Sequence, residues 1–190
     1  DVLKRIMTAY EKGTDYHIGM DTDCLIQAGA ELEQLTWMDV RVGDYLPTPR
    51  HGKPVEINAY WYNDMKIMEQ FALLQQDSKM AQHYAELADK IKEAFLLKFW
   101  NEEENCLKDV LSGNEEENQV RCNQVWALSM PYTMLPKEKE LCVLHKIKEE
   151  LYTTAGLRTL SPKDSAFHDI YIGSMQERDR AYHQGTVWTF

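Results

Sequence analysis

The sequence predicts an all-α protein, and three observations predict it. Two long segments carry one-sided apolar stripes at helical spacing, strand-like alternation is confined to one short run, and long polar loops separate the helical segments. In the first stripe Ile57, Trp61, Met65, Met68 and Ala72 recur at i, i+4, i+8, i+11 and i+15. Met80, Tyr84, Leu87, Ile91 and Ala94 repeat the pattern, and Asp77-Ser78 between the two supplies turn and N-cap chemistry, so an antiparallel helical hairpin is expected. A third helix is expected near Asn123 to Ser129, stopping before Pro131. A fourth is expected over Lys137 to Leu151, with Leu141, Leu144 and Leu151 inward. Leu107-Lys108-Asp109-Val110-Leu111 alternates and runs into Ser112-Gly113-Asn114, the signature of a small hairpin. The flanking runs Glu102 to Glu104 and Glu115 to Glu117 read as solvated loop faces. Loops over residues 13–55 and 152–183 are where binding chemistry is expected on such a scaffold.

Composition narrows the partners. A chain of 190 residues, 44% apolar and 27% charged, is long enough for one globular core. Its net charge of −10 argues against nucleic acid and against an anionic membrane surface. No apolar run reaches membrane-spanning length. Cys24, Cys106, Cys122 and Cys142 are widely spaced, without a metal-ligand rhythm, so free thiols and a cytoplasmic location are expected. Asp21-Thr22-Asp23 lacks the glycine and distal glutamate of a calcium loop, and no nucleotide or zinc motif occurs, so no metal or cofactor is expected.

The most informative stretch is Thr36-Trp37-Met38-Asp39, followed by Thr48-Pro49-Arg50-His51-Gly52-Lys53-Pro54-Val55-Glu56-Ile57-Asn58 and the aromatics Tyr60-Trp61-Tyr62. A carboxyl beside an indole, once desolvated, is suited to act as a general acid. Polar side chains woven among aromatics suit sugar hydroxyls and the flat faces of a pyranose. Each feature alone has a plainer explanation: a lone Asp caps backbone, and Arg50, Lys53, Glu56 and Asn58 make a charged loop. Trp61 falls on the apolar stripe and reads as core. Asn123 and Gln124 offer paired donors and acceptors, and His183 serves equally as a sugar partner or as a satisfied structural histidine.

Five stretches in order, Gln34-Leu35-Thr36-Trp37-Met38-Asp39, Thr48 to Asn58, Arg121-Cys122-Asn123-Gln124, Gly156-Leu157-Arg158-Thr159-Leu160 and Tyr182-His183-Gln184-Gly185-Thr186-Val187-Trp188, resemble the motifs of the glucosidase domain of glycogen debranching enzymes. That resemblance covers nearly the whole chain. It implies part of an (α/α)6 toroid of the six-hairpin glycosidase type, about half of it present. It implies hydrolysis, with inversion, of the α-1,6-linked glucose at a branch point of glycogen or another branched α-glucan. It makes Asp39 the general acid and makes Trp37, Arg50, Lys53, Glu56, Asn58, Asn123, Gln124, His183, Gln184 and Trp188 pocket residues. The general base of that family follows the last motif, so it is expected outside this chain; Glu177 and Asp179 precede the motif and are poor substitutes. Cys122 and Thr189 stand where the family more often has proline or an aromatic. Residues 1–190 are thus expected to be one partial catalytic domain, cut at both ends, inactive by itself, and self-associating through uncovered helix faces. Two alternatives stand beside this: a glycosidase of the same fold acting on trehalose or a mannosylated glycan, and a glucan-binding or helical interaction module that has lost catalysis.

Overall fold

The computed structural model describes residues 1–189, without the side chains of Glu115 and Glu116. Among the described residues six α-helices carry the architecture: α1 (Val2–Lys12), α2 (Val55–Leu74), α3 (Ser78–Lys98), α4 (Trp126–Ser129), α5 (Lys137–Lys146) and α6 (Met175–Ala181). Nine strands of two or three residues join them: β1 (Gly19–Met20), β2 (Ile26–Gln27), β3 (Lys53–Pro54), β4 (Trp100–Asn101), β5 (Cys106–Leu107), β6 (Val110–Leu111), β7 (Tyr152–Thr153), β8 (Gly156–Arg158) and β9 (Val187–Trp188). All pair antiparallel, as small ribbons that tie loops to helix ends.

The helical hairpin is the centre of the core. Asp77 caps α3 by accepting from the Met80 N–H at 3.2 Å, as its position before Ser78 predicts. Met65 of α2 and Tyr84, Ile91 and Phe95 of α3 are fully buried, and Phe95 stacks on Phe99 at 4.5 Å. Each such side chain contributes about 1.5–3 kcal/mol through burial. The first turns of α2 are enclosed on several sides, for Val55, Glu56, Asn58, Ala59, Tyr62 and Asn63 are buried beside Trp61 and Met65 of the stripe. Trp61 is core, as its stripe position predicts, with its indole N–H donated to the Cys24 carbonyl at 3.1 Å.

Several elements differ from the sequence expectation. The third helix is one tight turn, Cys122–Val125, followed by the short α4, because the Arg121 and Met130 backbones at its two ends are extended. The fourth continues from α5 into a wider turn over Ile147–Leu151. Its inward face is Val143, Ile147 and Leu151, while Leu141 and Leu144 are exposed; four-residue spacing, not leucine content, sets the packed face. The alternating run Leu107 to Leu111 is two strands, β5 on β4 and β6 on β3, with Asp109 between them. Residues 152–183 are not all loop. They contain β7, β8 and α6, and α6 is opened by a capping box in which Ser174 accepts from the Glu177 N–H while Glu177 accepts from the Ser174 N–H. Glu117 is only partly exposed: its carboxylate accepts from the Ser112 and Gly113 N–H groups and from Lys108. The Glu115 and Glu116 side chains and Phe190 lie outside the described residues.

Two glycines make the ribbons possible. Gly52 and Gly156 both have positive φ, and a Cβ at either would overlap a carbonyl oxygen across the ribbon, that of Leu111 or that of Trp188. The first crossing brings β3 to β6; the second brings the Gly156-Leu157-Arg158 stretch to Val187-Trp188, with Leu157 opposite Trp188.

Candidate active site

Arg50, Glu56, Asp109 and Asn123 form one buried polar network. The Arg50 guanidinium donates to both Glu56 oxygens, at 2.5 and 2.6 Å, and through Nε to Asp109 Oδ2 at 2.7 Å. Its Nη2 also reaches the Asp109 carbonyl at 3.2 Å. Asn123 Nδ2 donates to Asp109 Oδ1 at 2.8 Å, and Asn123 Oδ1 accepts the Trp37 indole N–H at 2.7 Å. The side chains of Arg50, Glu56 and Asp109 are each 2% exposed, a cost met by planar bidentate geometry and charge-assisted bonds. Burial by itself lowers the Arg50 pKa, but the facing Asp109 and Glu56 carboxylates outweigh it and hold the group firmly protonated.

A second region is aromatic. Trp37 packs 5.1 Å from the His183 ring and 5.5 Å, edge on, from Trp188, and Tyr182 lies 4.5 Å from His183 and 5.6 Å from Trp188. His183 is 1% exposed, and neither ring nitrogen has a hydrogen-bond partner among the described residues. Burial, with the Arg121 and Arg50 guanidiniums adding, pushes its pKa down to about 4, so the ring is neutral at pH 7. Arg121 lies beneath this cluster and donates to the His183 carbonyl at 2.7 Å, the Gln184 side-chain oxygen at 2.9 Å, and Gln119 and Thr159. Gln184 turns its amide nitrogen to the Pro47 carbonyl. Beside the cluster a cavity of about 430 Å³ is lined by His168, Asp169, Tyr171, Tyr182, Thr186 and Trp188 among others.

The structure distributes the sequence-selected residues unevenly. Trp37, Arg50, Glu56 and Asn123 meet in the first network, and Trp37, His183 and Trp188 in the second. Asp39 follows Trp37 and the fully buried Met38, and its side chain is exposed; the desolvation expected from its neighbouring indole is not supplied by this chain. Lys53 stands apart, donating to Asp21 and Asp23 at 2.7 Å each. Its partial burial opposes the charge, but these two bonds raise its pKa overall. Asn58 clamps β2, accepting from the Ile26 N–H at 2.7 Å and donating to the Ile26 and Pro54 carbonyls. Gln124 accepts from the Leu107 N–H and donates to the Arg121 carbonyl. In this chain the polar groups of Lys53, Asn58 and Gln124 hold protein rather than face an open site.

Asp109 is the residue that sequence reasoning missed. It shares parity with Leu107 and Leu111, so a carboxylate on an apolar face was the available signal. Among the described residues no group of three or more His, Cys, Asp or Glu could hold a metal ion, and no helix is long and apolar enough to cross a membrane.

The helices and their connecting segments gather carboxylates, amides and indoles packed edge on. The fold is similar to part of a solved sialidase structure, with a TM-score of 0.61 and 20% identity, covering 87% of this chain and 14% of that one. The mannosyl-oligosaccharide glucosidase of Saccharomyces cerevisiae is 25% identical over 132 residues, which is 65% of this chain and 15% of the yeast protein. The chain therefore spans about a seventh of either relative. It belongs to the amylo-alpha-1,6-glucosidase family, which it matches over residues 1–190.

Proposed function

We propose that this chain carries the acid half of an inverting glycosidase site that removes α-1,6-linked glucose at branch points of glycogen or another branched α-glucan, with Asp39 as general acid. One observation carries the reading. Asp39 is exposed, yet the two residues before it are fixed, Met38 by complete burial and Trp37 by its bond to Asn123. A general acid needs access to the leaving oxygen and a held position, and this arrangement offers both.

The base is a separate matter. Inversion requires a second carboxylate roughly 6.5–9.5 Å from the acid, free to take a proton from water. Glu56 and Asp109 are tied to Arg50 inside the protein and are poor candidates. We place the base outside these 190 residues, where the family's motif order puts it, within a whole (α/α)6 toroid in which the α2–α3 hairpin is one repeat. Leu3, Ile6 and Tyr10 of α1 and Leu141 and Leu144 of α5 are exposed, which fits helices of such a toroid packing on them. By itself the 190-residue chain would then be inactive and self-associating. All four cysteines are free, which supports the cytoplasm, and no cofactor is needed for this chemistry.

The yeast relative favours a second reading, in which the terminal glucose is carried by a mannose oligosaccharide. Glucose release by the full-length protein, wild type and Asp39→Asn, from a branched limit dextrin and from a glucose-capped mannose oligosaccharide separates the two. Release from the dextrin, lost by about 10²–10⁴-fold in Asp39→Asn with binding retained, is the expected result. Preference for the mannose glycan selects the second reading, and equal rates in both proteins remove Asp39 from the chemistry.

A further inference from the structure

We infer that Asp109 is a positioning residue for the acid: held by Arg50, it orients Asn123, which holds the Trp37 indole and so sets where Asp39 stands. The inference rests on the reading of Asp39 as general acid.

Asp109 is fixed at backbone and side chain. Its N–H donates to the Glu117 carbonyl at 3.0 Å, and its own carbonyl accepts from the Val55 N–H at 3.0 Å. Its Oδ2 takes Arg50 Nε, leaving Oδ1 for the Asn123 amide nitrogen. An ionised carboxylate only accepts, so it dictates which end of the Asn123 amide faces it. The nitrogen must turn to Asp109, and the carbonyl oxygen must then face away, where it meets Trp37 Nε1 at 2.7 Å. With the amide reversed, oxygen would face oxygen and the indole would lose its acceptor. The same Asn123 nitrogen lies 3.5 Å from the sulfur of Met38. One amide therefore touches both residues that precede Asp39.

A purely structural role is the competing explanation. Arg50 already has a bidentate partner in Glu56, so its charge does not require a second carboxylate. Asp109 also offsets part of the charge of Arg121, whose bonds all go to neutral groups. Loss of that balance would loosen the whole site, whereas loss of the relay would misplace the acid alone.

A substrate whose leaving group needs no proton tells these apart. In hydrolysis of α-glucosyl fluoride, water forms the new C1–O bond as the C1–F bond breaks, and fluoride leaves without a proton from the acid, so a misplaced acid matters little. The experiment measures kcat and KM of the full-length protein on branched limit dextrin and on α-glucosyl fluoride. It compares wild type, Asp39→Asn, Asp109→Asn, Asn123→Ala and the Asp109→Asn/Asn123→Ala pair. Asn123→Ala leaves the Arg50 ion pairs untouched, so it tests the relay even where Asp109→Asn folds poorly. The relay predicts a fall in kcat on dextrin of about 10–100-fold in each of the last three, KM within about twofold, and fluoride rates within about threefold of wild type. The double variant should be no worse than either single, since both break one chain of contacts. Equal losses on both substrates, or no loss on dextrin, overturn the inference while a defect in Asp39→Asn keeps the acid assignment. An unimpaired Asp39→Asn, or an inactive wild type, removes the acid assignment and the relay together.

Discussion

Two buried polar regions meet at Trp37 and are finished in opposite ways. Around Arg50, the guanidinium, both carboxylates and the Asn123 amide all have protein partners at hydrogen-bonding distance. Around His183, a ring just as deeply buried has neither nitrogen bonded among the described residues, and tilted aromatics surround it. A closed network of this kind rigidifies its surroundings, because each group would be costly to leave alone. Polar atoms left unbonded inside a protein carry a desolvation cost that a ligand's hydroxyls could relieve. The difference teaches that the charged residues chosen from sequence as substrate binders are better read as the frame. The neutral imidazole, 1% exposed, is enclosed by Trp37, Tyr182 and Trp188.

Breaking the closed region should have the largest effect on stability. Arg50→Met leaves Glu56 and Asp109 buried without their counter-charge, and a loss of about 3–5 kcal/mol in chemical denaturation is expected. A loss below about 1 kcal/mol would mean that water reaches the pair and that the network is not closed. The converse replacement, Glu56→Gln, keeps shape but removes one charge, and should cost less than Arg50→Met because Asp109 still faces the guanidinium.

The open region should reveal itself through pH. The folded-state pKa of His183, about 4, lies below the usual histidine value of 6.5, so the unfolded chain binds the proton more readily. Its share of stability is therefore fully present above pH 6.5 and is lost as pH falls from 6.5 toward 4. At about 1.4 kcal/mol per unit, the whole effect is on the order of 3 kcal/mol. Denaturation midpoints of wild type and His183→Gln across that window check it. The variant should show the shallower slope, and parallel slopes would mean that His183 titrates as in the unfolded chain.

The smallest effect is expected at Lys53. Its ammonium bridges Asp21 and Asp23 on the β1–β2 turn, and Lys98 also reaches Asp23, at 2.6 Å. Lys53→Gln should cost about 1 kcal/mol or less, because the pairs are partly solvated and Lys98 remains. It should leave KM for the dextrin within about twofold. A tenfold rise in KM would restore Lys53 as a substrate contact and blur the distinction between frame and pocket.

Much of the scaffold was legible because helical spacing and capping chemistry are local. The α2 and α3 stripes, the Asp77 cap and the end before Pro131 all follow from neighbours within a few residues. The capping box at Ser174 and Glu177 was equally readable, yet the polar surroundings of residues 152–183 hid it. Leu141 and Leu144 misled because leucine is apolar in any setting, while burial depends on which helix face meets the core. For the site, the ordered motifs picked out Trp37, Arg50, Glu56, Asn123, His183 and Trp188, and the fold brings these together. Asp109 was invisible as a partner, since 59 residues separate it from Arg50 and the β3–β6 crossing alone unites them.

By itself the sequence determined the α2 and α3 helices, the Asp77 cap between them and the side-chain types that the site gathers. These are properties of short windows and of side-chain character. Only the tertiary structure decided which groups were left open. Whether an amide binds a sugar or a neighbouring backbone depends on what stands within about 3 Å of it, and hydrogen bonds have no longer reach. Asn58 and Gln124 hold backbone, Arg50 faces two carboxylates, and the His183 ring nitrogens have no hydrogen-bond partner among the described residues, for that reason.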